Sequence, residues 1–259
     1  MSLNPPIRDW RGQRCWIVGA STGIGAALAE RLALAGAHLA LSARRREPLE
    51  AMAERFGPGR SLALPLDIRD PGALAEAART LVASWGGIDV AIVMAGDYKA
   101  MRAWEIDLAA VRSMVETNLL GSFNVLAAVT PLFIKQGSGT IALVSSVAGY
   151  RGLPKSLAYG PTKAAMINLA ETLFLDLRPK GIGVCVVNPG FVKTPLTDQN
   201  DFKMPALITA DEAAGEIMEG LARGSFEIHF PRRFTRVLKF LRLLPYPAYF
   251  SAIRRMIGP

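Results

Sequence analysis

Residues 15–25 read CWIVGASTGIG, and this stretch decides the fold. It predicts a short buried strand from Cys15 to Val18, a glycine-rich turn, and an Ala/Leu-rich helix that continues to about Ala35. The backbone N–H groups and the dipole at the start of such a helix favour a phosphate, and glycine lets the backbone approach a pyrophosphate closely. The spacing Gly-x-x-x-Gly-x-Gly also occurs in ordinary turns, so the interpretation depends on the rest of the chain.

Outward from this unit, apolar runs alternate with helical patterns. Further strands are predicted at Leu39–Leu41, Ser61–Leu66, Ile88–Met94, Gly139–Val144, Val184–Val187 and Phe226–Phe230. Helices are predicted at Pro71–Ser84, from about Leu108 through Asn118, from Tyr159 to about Arg178, and at Thr209–Ala222. This alternation predicts an α/β fold of the Rossmann type, a doubly wound parallel β-sheet with helices on both faces, in a single domain. We place a lead-in at residues 1–13, the domain at 14–230 and a basic amphipathic extension at 231–259.

A basic cluster follows the second predicted strand. Ser42-Ala43-Arg44-Arg45-Arg46 stands where a NAD site would carry an acidic residue for the ribose 2′-hydroxyl. Arginines suit a 2′-phosphate instead, because they can bind it through bidentate hydrogen bonds. With Ser42, Arg44 and Arg45 as contacts, the cluster favours NADP(H) over NAD. The alternative is a solvated, basic start of a helix.

Polar or glycine-rich segments also follow the later strands. They are Asp67-Ile68, Ala95-Gly96 and Asn188-Pro189-Gly190, with Thr194 beyond the last. A polar side chain at Asp67 suits the adenine amino group. Ligands bind at the carboxyl edge of open α/β sheets, and these segments are all predicted to meet there.

The most reactive side chains are predicted beside the same edge. A strand delivers Ser146, and the next helix presents Tyr159 and Lys163 at i and i+4 on one face. An ammonium beside a phenol favours the phenolate, and proton transfer near neutral pH needs a pKa shift of about three units, or ~4 kcal/mol. Taken alone, Tyr-x-x-x-Lys is more often a surface pair. The surrounding strand ends favour a catalytic pair.

These motifs, in this order and spacing, resemble the classical short-chain dehydrogenase/reductase family over about Arg14 to Phe230. The resemblance implies cofactor contacts at Gly19, Gly23, Gly25 and Asp67, and a segment beside the nicotinamide that consists of Pro189, Gly190, Val192 and Thr194. The remaining turn and strand-end residues expected to line the cofactor site are Ser21, Thr22, Ile24, Ile68, Ala95 and Gly96. The position of Arg44 resembles that of NADP-preferring members.

The resemblance also implies the catalytic roles. Tyr159 is expected to act as general acid in carbonyl reduction and general base in alcohol oxidation, while Ser146 holds the substrate oxygen. Lys163 is expected to lower the pKa of Tyr159 and to bind the nicotinamide ribose. Asn118 is expected to help hold a water that relays the proton, and to lie in the cofactor site with Tyr159 and Lys163.

One departure from the family pattern qualifies the resemblance. The family usually has Asn-Asn-Ala-Gly after the fourth strand, whereas this chain has Val93-Met94-Ala95-Gly96. This difference concerns local order on the adenosine side more than catalysis.

The segment from Phe191 to about Leu207, with Tyr98 and Tyr150, is expected to shape a pocket for a hydrophobic or acyl substrate. The family commonly forms homodimers or homotetramers through its long central helices.

Composition limits the other classes of function. The formal net charge is +8, but residues 223–259 carry about +7 of it, so the body is nearly neutral and no nucleic-acid footprint is expected. Cys15 and Cys185 lie in apolar runs, and neither they nor the two histidines form a cluster that predicts a metal site. The first residues lack an export signal, which predicts a cytoplasmic protein. The uncharged run from Thr117 to Ile134 contains Asn118, Asn124 and Pro131, which favours a buried helix over a membrane span.

The C-terminal extension has a helical apolar and basic pattern. One predicted face consists of Phe234, Val237, Leu238, Leu241 and Leu244, and the other of Arg232, Arg236, Lys239 and Arg242. Such a helix suits peripheral contact with an anionic inner-membrane surface, and equally suits packing over the substrate cleft or against a partner subunit.

The sequence thus predicts an NADP(H)-dependent oxidoreductase acting on a small-molecule carbonyl or secondary alcohol. The alternatives are an NADP-binding scaffold without turnover, and a membrane-surface protein whose extension is the main functional element.

Overall fold

The computed structural model of the protein describes residues 2–199 and 204–257. Its strands are β1 (Arg14–Val18), β2 (His38–Ser42), β3 (Ser61–Ala63), β4 (Val90–Val93), β5 (Gly139–Val144), β6 (Ile182–Pro189) and β7 (Glu227–Phe230). Its helices are α1 (Gly23–Leu34), α2 (Arg46–Phe56), α3 (Pro71–Trp85), α4 (Leu108–Met114), α5 (Gly121–Gln136), α6 (Tyr159–Leu177), α7 (Ala210–Ala222), α8 (Arg232–Arg242) and α9 (Tyr246–Ile257). A π-helical segment, Val115–Leu120, joins α4 to α5.

The strands form one parallel sheet in the order β3-β2-β1-β4-β5-β6-β7. Side chains alternate across it: Cys15 and Ile17 of β1 enter the core on one face, and Trp16 and Val18 enter the core on the other. The strand order reverses between β1 and β4, which opens a crevice at their carboxyl ends. The predicted single-domain, Rossmann-type fold is confirmed.

Local chemistry explains where individual helices begin and end. The carboxylate of Asp70 accepts a hydrogen bond from Ala73 N–H, Pro71 occupies the first turn, and Gly86 ends α3 in the left-handed conformation. Thr209 and Glu212 form a capping box at α7. The predicted helix boundaries therefore agree closely with those observed.

Three predicted strands differ from the observed ones by three residues or more: β3 and β4 are shorter, and β6 is longer. β3 ends at Ala63, short of the predicted Leu66, although Leu64 N and Leu66 N still donate to the carbonyls of Leu41 and Ala43 beside it. β6 runs from Ile182 to Pro189 and is longer than predicted, because β5 and β7 pair with it on both sides.

The long helical segment from Leu108 to Gln136 is apolar and long enough to cross a membrane by length and composition, and 39% of its most apolar window is buried inside the protein. Val125, Val129 and Phe133 lie in the core, whereas Phe123 and Ile134 are exposed. The predicted burial therefore holds for one face only.

Both ends of the chain pack on the sheet. In the lead-in, the Asn4 side chain hydrogen-bonds the backbone of Val184 in β6, with Asn4 Nδ2 at 2.7 Å from Val184 O. In the extension, Leu238 and Leu241 of α8 and Tyr249 of α9 join the main core. Val237, predicted on the same apolar face, is 47% exposed, because the helix turns the Leu238 and Leu241 stripe inward.

Candidate active site

A cleft of about 890 Å³ lies at the carboxyl ends of the strands. Most of the predicted site residues line it: Gly19, Ser21, Thr22, Gly23, Ile24, Gly25, Arg44, Arg45, Asp67, Ile68, Ala95, Gly96, Ser146, Tyr159, Lys163, Pro189, Gly190, Val192 and Thr194. Residues far apart in sequence thus meet at one edge of the sheet. Ser42 and Asn118 lie elsewhere.

The glycine turn between β1 and α1 leaves no room for side chains. A Cβ on Gly19, where φ is +107°, would lie 2.4 Å from the backbone nitrogen of Ala95. A Cβ on Gly25 would lie 2.1 Å from the carbonyl oxygen of Gly19. The turn therefore presses against both the β4 end and its own helix, which is the arrangement that brings backbone N–H groups close to a bound phosphate.

The start of α1 faces this cleft. Gly23 is its first residue, and the side chain of the preceding Thr22 makes no capping hydrogen bond. The first turn also contains no acidic side chain, so nothing there offsets the positive end of the helix dipole. This end of the cleft suits an anion.

Basic side chains border the adenosine side of the cleft. Arg44 and Arg45 are exposed and precede α2, for which Arg45 is the N-cap residue. The Asp67 carboxylate accepts bidentate hydrogen bonds from Arg69, which lower its pKa against the opposing effect of partial burial. Asp67 therefore lines the cleft already paired with a cation, a contact that the sequence did not predict.

Ser42 does not line the cleft, so its prediction as a cofactor contact is corrected. Its side chain is fully buried, and its hydroxyl accepts a hydrogen bond of 2.9 Å from Trp16 Nε1. The Ser42 carbonyl accepts from Gly19 N at 2.7 Å and thereby holds the glycine turn. Side chains of β2 alternate between the two faces of the sheet, and this alternation directs the Ser42 side chain to the buried face that holds Trp16.

Ser146 and Tyr159 meet in the middle of the cleft. Ser146 follows β5 and caps the short 3₁₀ helix Val147–Gly149, and Tyr159 is the first residue of α6. Burial raises the pKa of Tyr159 to about 12; a hydrogen bond with Ser146 opposes this effect, and the nearby Tyr98 adds to it. The phenol therefore carries its proton at neutral pH.

Lys163 lies one turn beyond Tyr159 and is 4% exposed. Its Nζ donates a hydrogen bond of 3.0 Å to Val144 O and lies 5.5 Å from the centre of the Tyr159 ring. Burial lowers the pKa of Lys163 to about 8. Burial is the largest influence on the pKa of both groups, so the expected lowering of the Tyr159 pKa by Lys163 stays a prediction.

Asn118 lies behind the cleft wall, in the π-helical segment. Its amide accepts from Asp97 N at 2.6 Å and donates to Asp97 O at 2.9 Å and to Thr162 Oγ1 at 3.1 Å. The prediction that its side chain contacts the cofactor is corrected, since these partners occupy it. It joins the loop after β4 to α6.

Of the residues expected to shape the substrate pocket, some line the cleft and others do not. The Tyr98 ring lies edge-on to Tyr159, with 4.9 Å between centroids, and Leu196 and Gln199 also line the cleft. Tyr150 does not: it is 7% exposed and donates its hydroxyl to Glu227. Within the predicted segment 191–207, residues 200–203 lie outside the described residues.

The sequence reasoning missed some of the cleft residues. Asp97 and Ser113 both line it, and their side chains hydrogen-bond at 2.6 Å. Asp97 directly follows Ala95-Gly96 at a predicted strand end, so its position was a usable signal. Ser113 lies on a helix face and carried none.

Comparison with known proteins agrees with this geometry. The sequence profile of the family described as short chain dehydrogenase matches residues 13–204. The chain belongs to the short-chain dehydrogenase family. It is 34% identical over 242 residues to an uncharacterized oxidoreductase of Myxococcus xanthus, covering 93% of this chain and 96% of that one. It is 35% identical over 193 residues to a 3-oxoacyl-acyl-carrier-protein reductase of Thermotoga maritima, covering 73% and 77%.

Solved structures show the same architecture. A short-chain dehydrogenase of Burkholderia cenocepacia in complex with NADP superposes with a TM-score of 0.82 at 26% identity, covering 97% of this chain and all of that one. A short-chain dehydrogenase/reductase of Mycobacterium marinum gives 0.76 at 26% identity, over 85% and 94%. This short-chain dehydrogenase is therefore an oxidoreductase with a nucleotide-binding fold, from a family that binds a nicotinamide cofactor and acts on small molecules.

Proposed function

We propose that this short-chain dehydrogenase is an NADP(H)-dependent oxidoreductase that transfers a hydride between the nicotinamide and a carbonyl or secondary alcohol. One observation carries the proposal: Ser146, Tyr159 and Lys163 share a cleft with the glycine turn at the start of α1. A proton donor to oxygen and a phosphate cradle are the two parts that such a reaction requires.

The residues present fit the cofactor. Gly19 and Gly25 carry no side chains, so the backbone at the start of α1 can come close to the pyrophosphate. Arg44 and Arg45 suit a 2′-phosphate, and the Asp67–Ile68 and Ala95–Gly96 segments would border the adenosine half. The segment expected beside the nicotinamide consists of Pro189, Gly190, Val192 and Thr194.

In carbonyl reduction, the hydroxyls of Ser146 and Tyr159 hold the substrate oxygen, and Tyr159 donates its proton to that oxygen. The phenol is protonated at neutral pH, which is the form that an acid requires. The cofactor supplies the hydride. In the reverse direction, Tyr159 takes the proton from the alcohol.

Lys163 and Asn118 support this pair. The Lys163 ammonium is placed to bind ribose hydroxyls and to attract electron density on the Tyr159 oxygen as the proton leaves. Asn118 acts through structure: its amide fixes the Asp97 backbone against Thr162 on the catalytic helix.

An apolar or acyl carbonyl compound is the proposed substrate class. Tyr98 and Leu196 line the cleft near Tyr159, and aromatic and aliphatic walls favour a hydrophobic ligand. A relative named 3-oxoacyl-acyl-carrier-protein reductase is consistent with acyl chemistry.

The experiment is a panel of aliphatic ketones, quinones and 3-oxoacyl thioesters, assayed by NADPH oxidation with wild type and Tyr159→Phe. We expect turnover of at least one class, reduced about 10³-fold in Tyr159→Phe, with NADPH fluorescence on binding retained in both. NADPH binding without turnover of any carbonyl would indicate a scaffold instead. Equal turnover in the variant would refute the role of Tyr159.

The NADP preference rests on Arg44. Arg44→Asp removes a phosphate-binding cation, and the loss of such a charged hydrogen bond costs about 2 kcal/mol, or about thirtyfold in affinity for NADPH. Binding of NADH should not weaken. Arg46→Asp is the matched control, since Arg46 belongs to the same cluster but pairs with Glu50 on α2 and does not line the cleft. Equal affinities of wild type for both cofactors would contradict the preference.

We also propose that the enzyme is cytoplasmic and that its C-terminal helices contact an anionic membrane surface. Large apolar side chains are exposed on α8, α9 and the turn between them: Val237, Phe240, Leu243, Tyr246, Phe250 and Met256. Exposed arginines accompany them: Arg233, Arg236, Arg242, Arg254 and Arg255. These arginines make no ion pair within the part of the chain that the structure describes, and no acidic residue follows Glu227 in the sequence.

Charge favours a lipid surface over a second copy of the chain. A symmetric contact between two copies would place this arginine-rich face against itself. An anionic bilayer would accept the apolar side chains and attract each arginine by about 1 kcal/mol.

Vesicles distinguish these occupants. We expect co-sedimentation with phosphatidylglycerol-containing vesicles and little with pure phosphatidylcholine, and loss of binding in Phe240→Ser/Leu243→Ser and in Arg254→Gln/Arg255→Gln. Leu34→Ser is the control, because Leu34 is 88% exposed on α1, outside this surface. Binding that none of these substitutions changes, or self-association lost in the same variants, would overturn the membrane proposal.

We further propose a homodimer or homotetramer. The long helical segment exposes Leu120, Phe123 and Ile134, and α6 exposes Leu175. Sedimentation velocity of wild type and Phe123→Glu tests it, and a monomeric wild type would refute it.

A further inference from the structure

The carboxylate of Glu227 collects hydrogen bonds from three separate parts of the chain. Tyr150 donates its hydroxyl to Glu227 Oε1 at 2.6 Å, and Asn188 Nδ2 donates to the same oxygen at 2.8 Å. Lys239 of α8 forms an ion pair with the other oxygen, Oε2. Glu227 lies on β7, outside the cleft, and the mechanism above does not use it.

Two of these donors lead directly to the catalytic centre. Tyr150 ends the 3₁₀ helix that Ser146 caps, within a segment that we name the Ser146 loop, residues 145–152. Asn188 precedes Pro189 and Gly190 on β6, the segment proposed to face the nicotinamide. Ser146 Oγ lies 3.5 Å from Pro189 O, so the two segments meet where the substrate oxygen would bind.

The third donor belongs to the C-terminal extension, and a second contact reinforces this connection. Arg151, the next residue in the Ser146 loop, donates to Leu244 O at 2.6 Å and to two other carbonyls at the end of α8. Its guanidinium also lies 4.1 Å from the centre of the Tyr249 ring on α9. Arg151 is thus held directly by the extension, and the adjacent Tyr150 is linked to it through Glu227 and Lys239.

Because this hydrogen-bond network is buried, the loss of one member disturbs the bonds of the others. The Glu227 side chain is 22% exposed, while Tyr150 and Asn188 are almost fully buried. Without the Lys239 ammonium, a mostly buried carboxylate would lose a cationic partner and shift or take up a proton. Either response changes what Tyr150 and Asn188 can bond.

We infer that Glu227 is a positioning residue: it fixes the Ser146 loop against the Pro189–Gly190 segment, and Lys239 of the C-terminal extension completes it. The C-terminal extension then helps to position the Ser146 loop, in addition to its proposed contact with a membrane. The effect on catalysis rests on the proposed function, whereas the effect on the Ser146 loop does not.

The test compares Tyr150→Phe and Lys239→Met with wild type by hydrogen–deuterium exchange and by carbonyl reduction. We expect faster exchange at residues 145–152 and 188–192 in both variants, although Lys239 itself lies on α8. We also expect kcat to fall by about ten- to hundredfold, as for a small displacement of a catalytic group, with KM for NADPH unchanged. Lys239→Arg should restore both properties.

Tyr246→Phe is the matched control, since Tyr246 is 68% exposed and its ring contact with Arg151 survives the change. It should leave exchange and kcat as in wild type. Faster exchange in Lys239→Met confined to α8, or no change in the Ser146 loop in Tyr150→Phe, would overturn the inference. If wild type reduced no carbonyl, the proposed function would fail, and the exchange data would still decide the role of Glu227.

Discussion

At Tyr159 and Lys163, burial sets the protonation of both groups. It raises the pKa of the phenol to about 12 and lowers the pKa of the ammonium to about 8. The phenol therefore keeps its proton across the neutral pH range. Of the two groups, Lys163 has the pKa closer to neutral pH. The fold favours the acid form of the pair, as carbonyl reduction requires.

This order of pKa values predicts the pH dependence of the enzyme. A lysine is charged below its pKa, so Lys163 holds its charge up to pH about 8 and loses it above. We expect kcat/KM for NADPH in the reductive direction to be level below that pH and to fall tenfold per pH unit above it, because kcat/KM reports the free enzyme. A profile that stays level to pH about 10 would contradict a role for the charged lysine.

Individual residues also show what sequence can and cannot predict. The residues of the glycine turn and the Ser146, Tyr159 and Lys163 set could be predicted, because motif spacing fixes their place at the strand ends. Ser42 and Asn118 could not, because both lie at the expected position while their polar atoms are taken by Trp16 and by the Asp97 backbone. Spacing determines where a residue is, and its partners determine what it faces.

Among the elements, the catalytic helix α6 depends on a glycine in the preceding loop. A Cβ on Gly149 would lie 2.7 Å from the backbone carbonyl of Lys163, so Gly149→Ala has to push α6 away from the 3₁₀ helix Val147–Gly149. We expect a loss of about 1–3 kcal/mol in the free energy of unfolding and a lower kcat. Denaturant unfolding and carbonyl reduction measure the two effects.

Gly152→Ala is the control in the same loop. Nothing lies within 4 Å of a Cβ at Gly152, and its φ is not in the left-handed region. Its stability and activity should match those of wild type. Similar losses in both variants would show that the loop, and not its contact with α6, is responsible.

The elements themselves were largely predictable, and their exceptions have physical causes. Alternating apolar runs and caps such as Asp70 and Thr209 mark most boundaries. The early end of β3 and the length of β6 depend on strand pairing, which no local pattern encodes. The π-helical turn around Asn118, which hydrogen-bonds Thr162 on α6, was not predicted either.

In the whole molecule, the C-terminal extension is part of the main core. Leu241 is 6% exposed and packs in that core, whereas Leu243, two residues later, is 81% exposed. The sequence predicted an amphipathic helix here, but it left open whether membrane, partner or body covers the apolar face. The structure shows that the body covers one stripe and leaves another exposed.

Because Leu241 is buried and Leu243 is exposed, alanine substitutions at the two positions should differ in their effect on the free energy of unfolding. Leu241→Ala should lower the free energy of unfolding by about 2–5 kcal/mol, because it leaves a cavity in the core. Leu243→Ala should change it by no more than about 0.5 kcal/mol. Urea unfolding of the two variants measures both, and equal effects would contradict the packing of α8 on the body.

The central claim, hydride transfer from NADPH to a carbonyl with a proton from Tyr159, is tested most directly by isotope transfer. The enzyme is incubated with its best carbonyl substrate and with NADPH that carries deuterium in the transferable position of the nicotinamide. Mass spectrometry of the product alcohol should show one deuterium with wild type and almost no product with Tyr159→Phe. An unlabelled alcohol, or labelled alcohol formed equally fast by Tyr159→Phe, would contradict the claim.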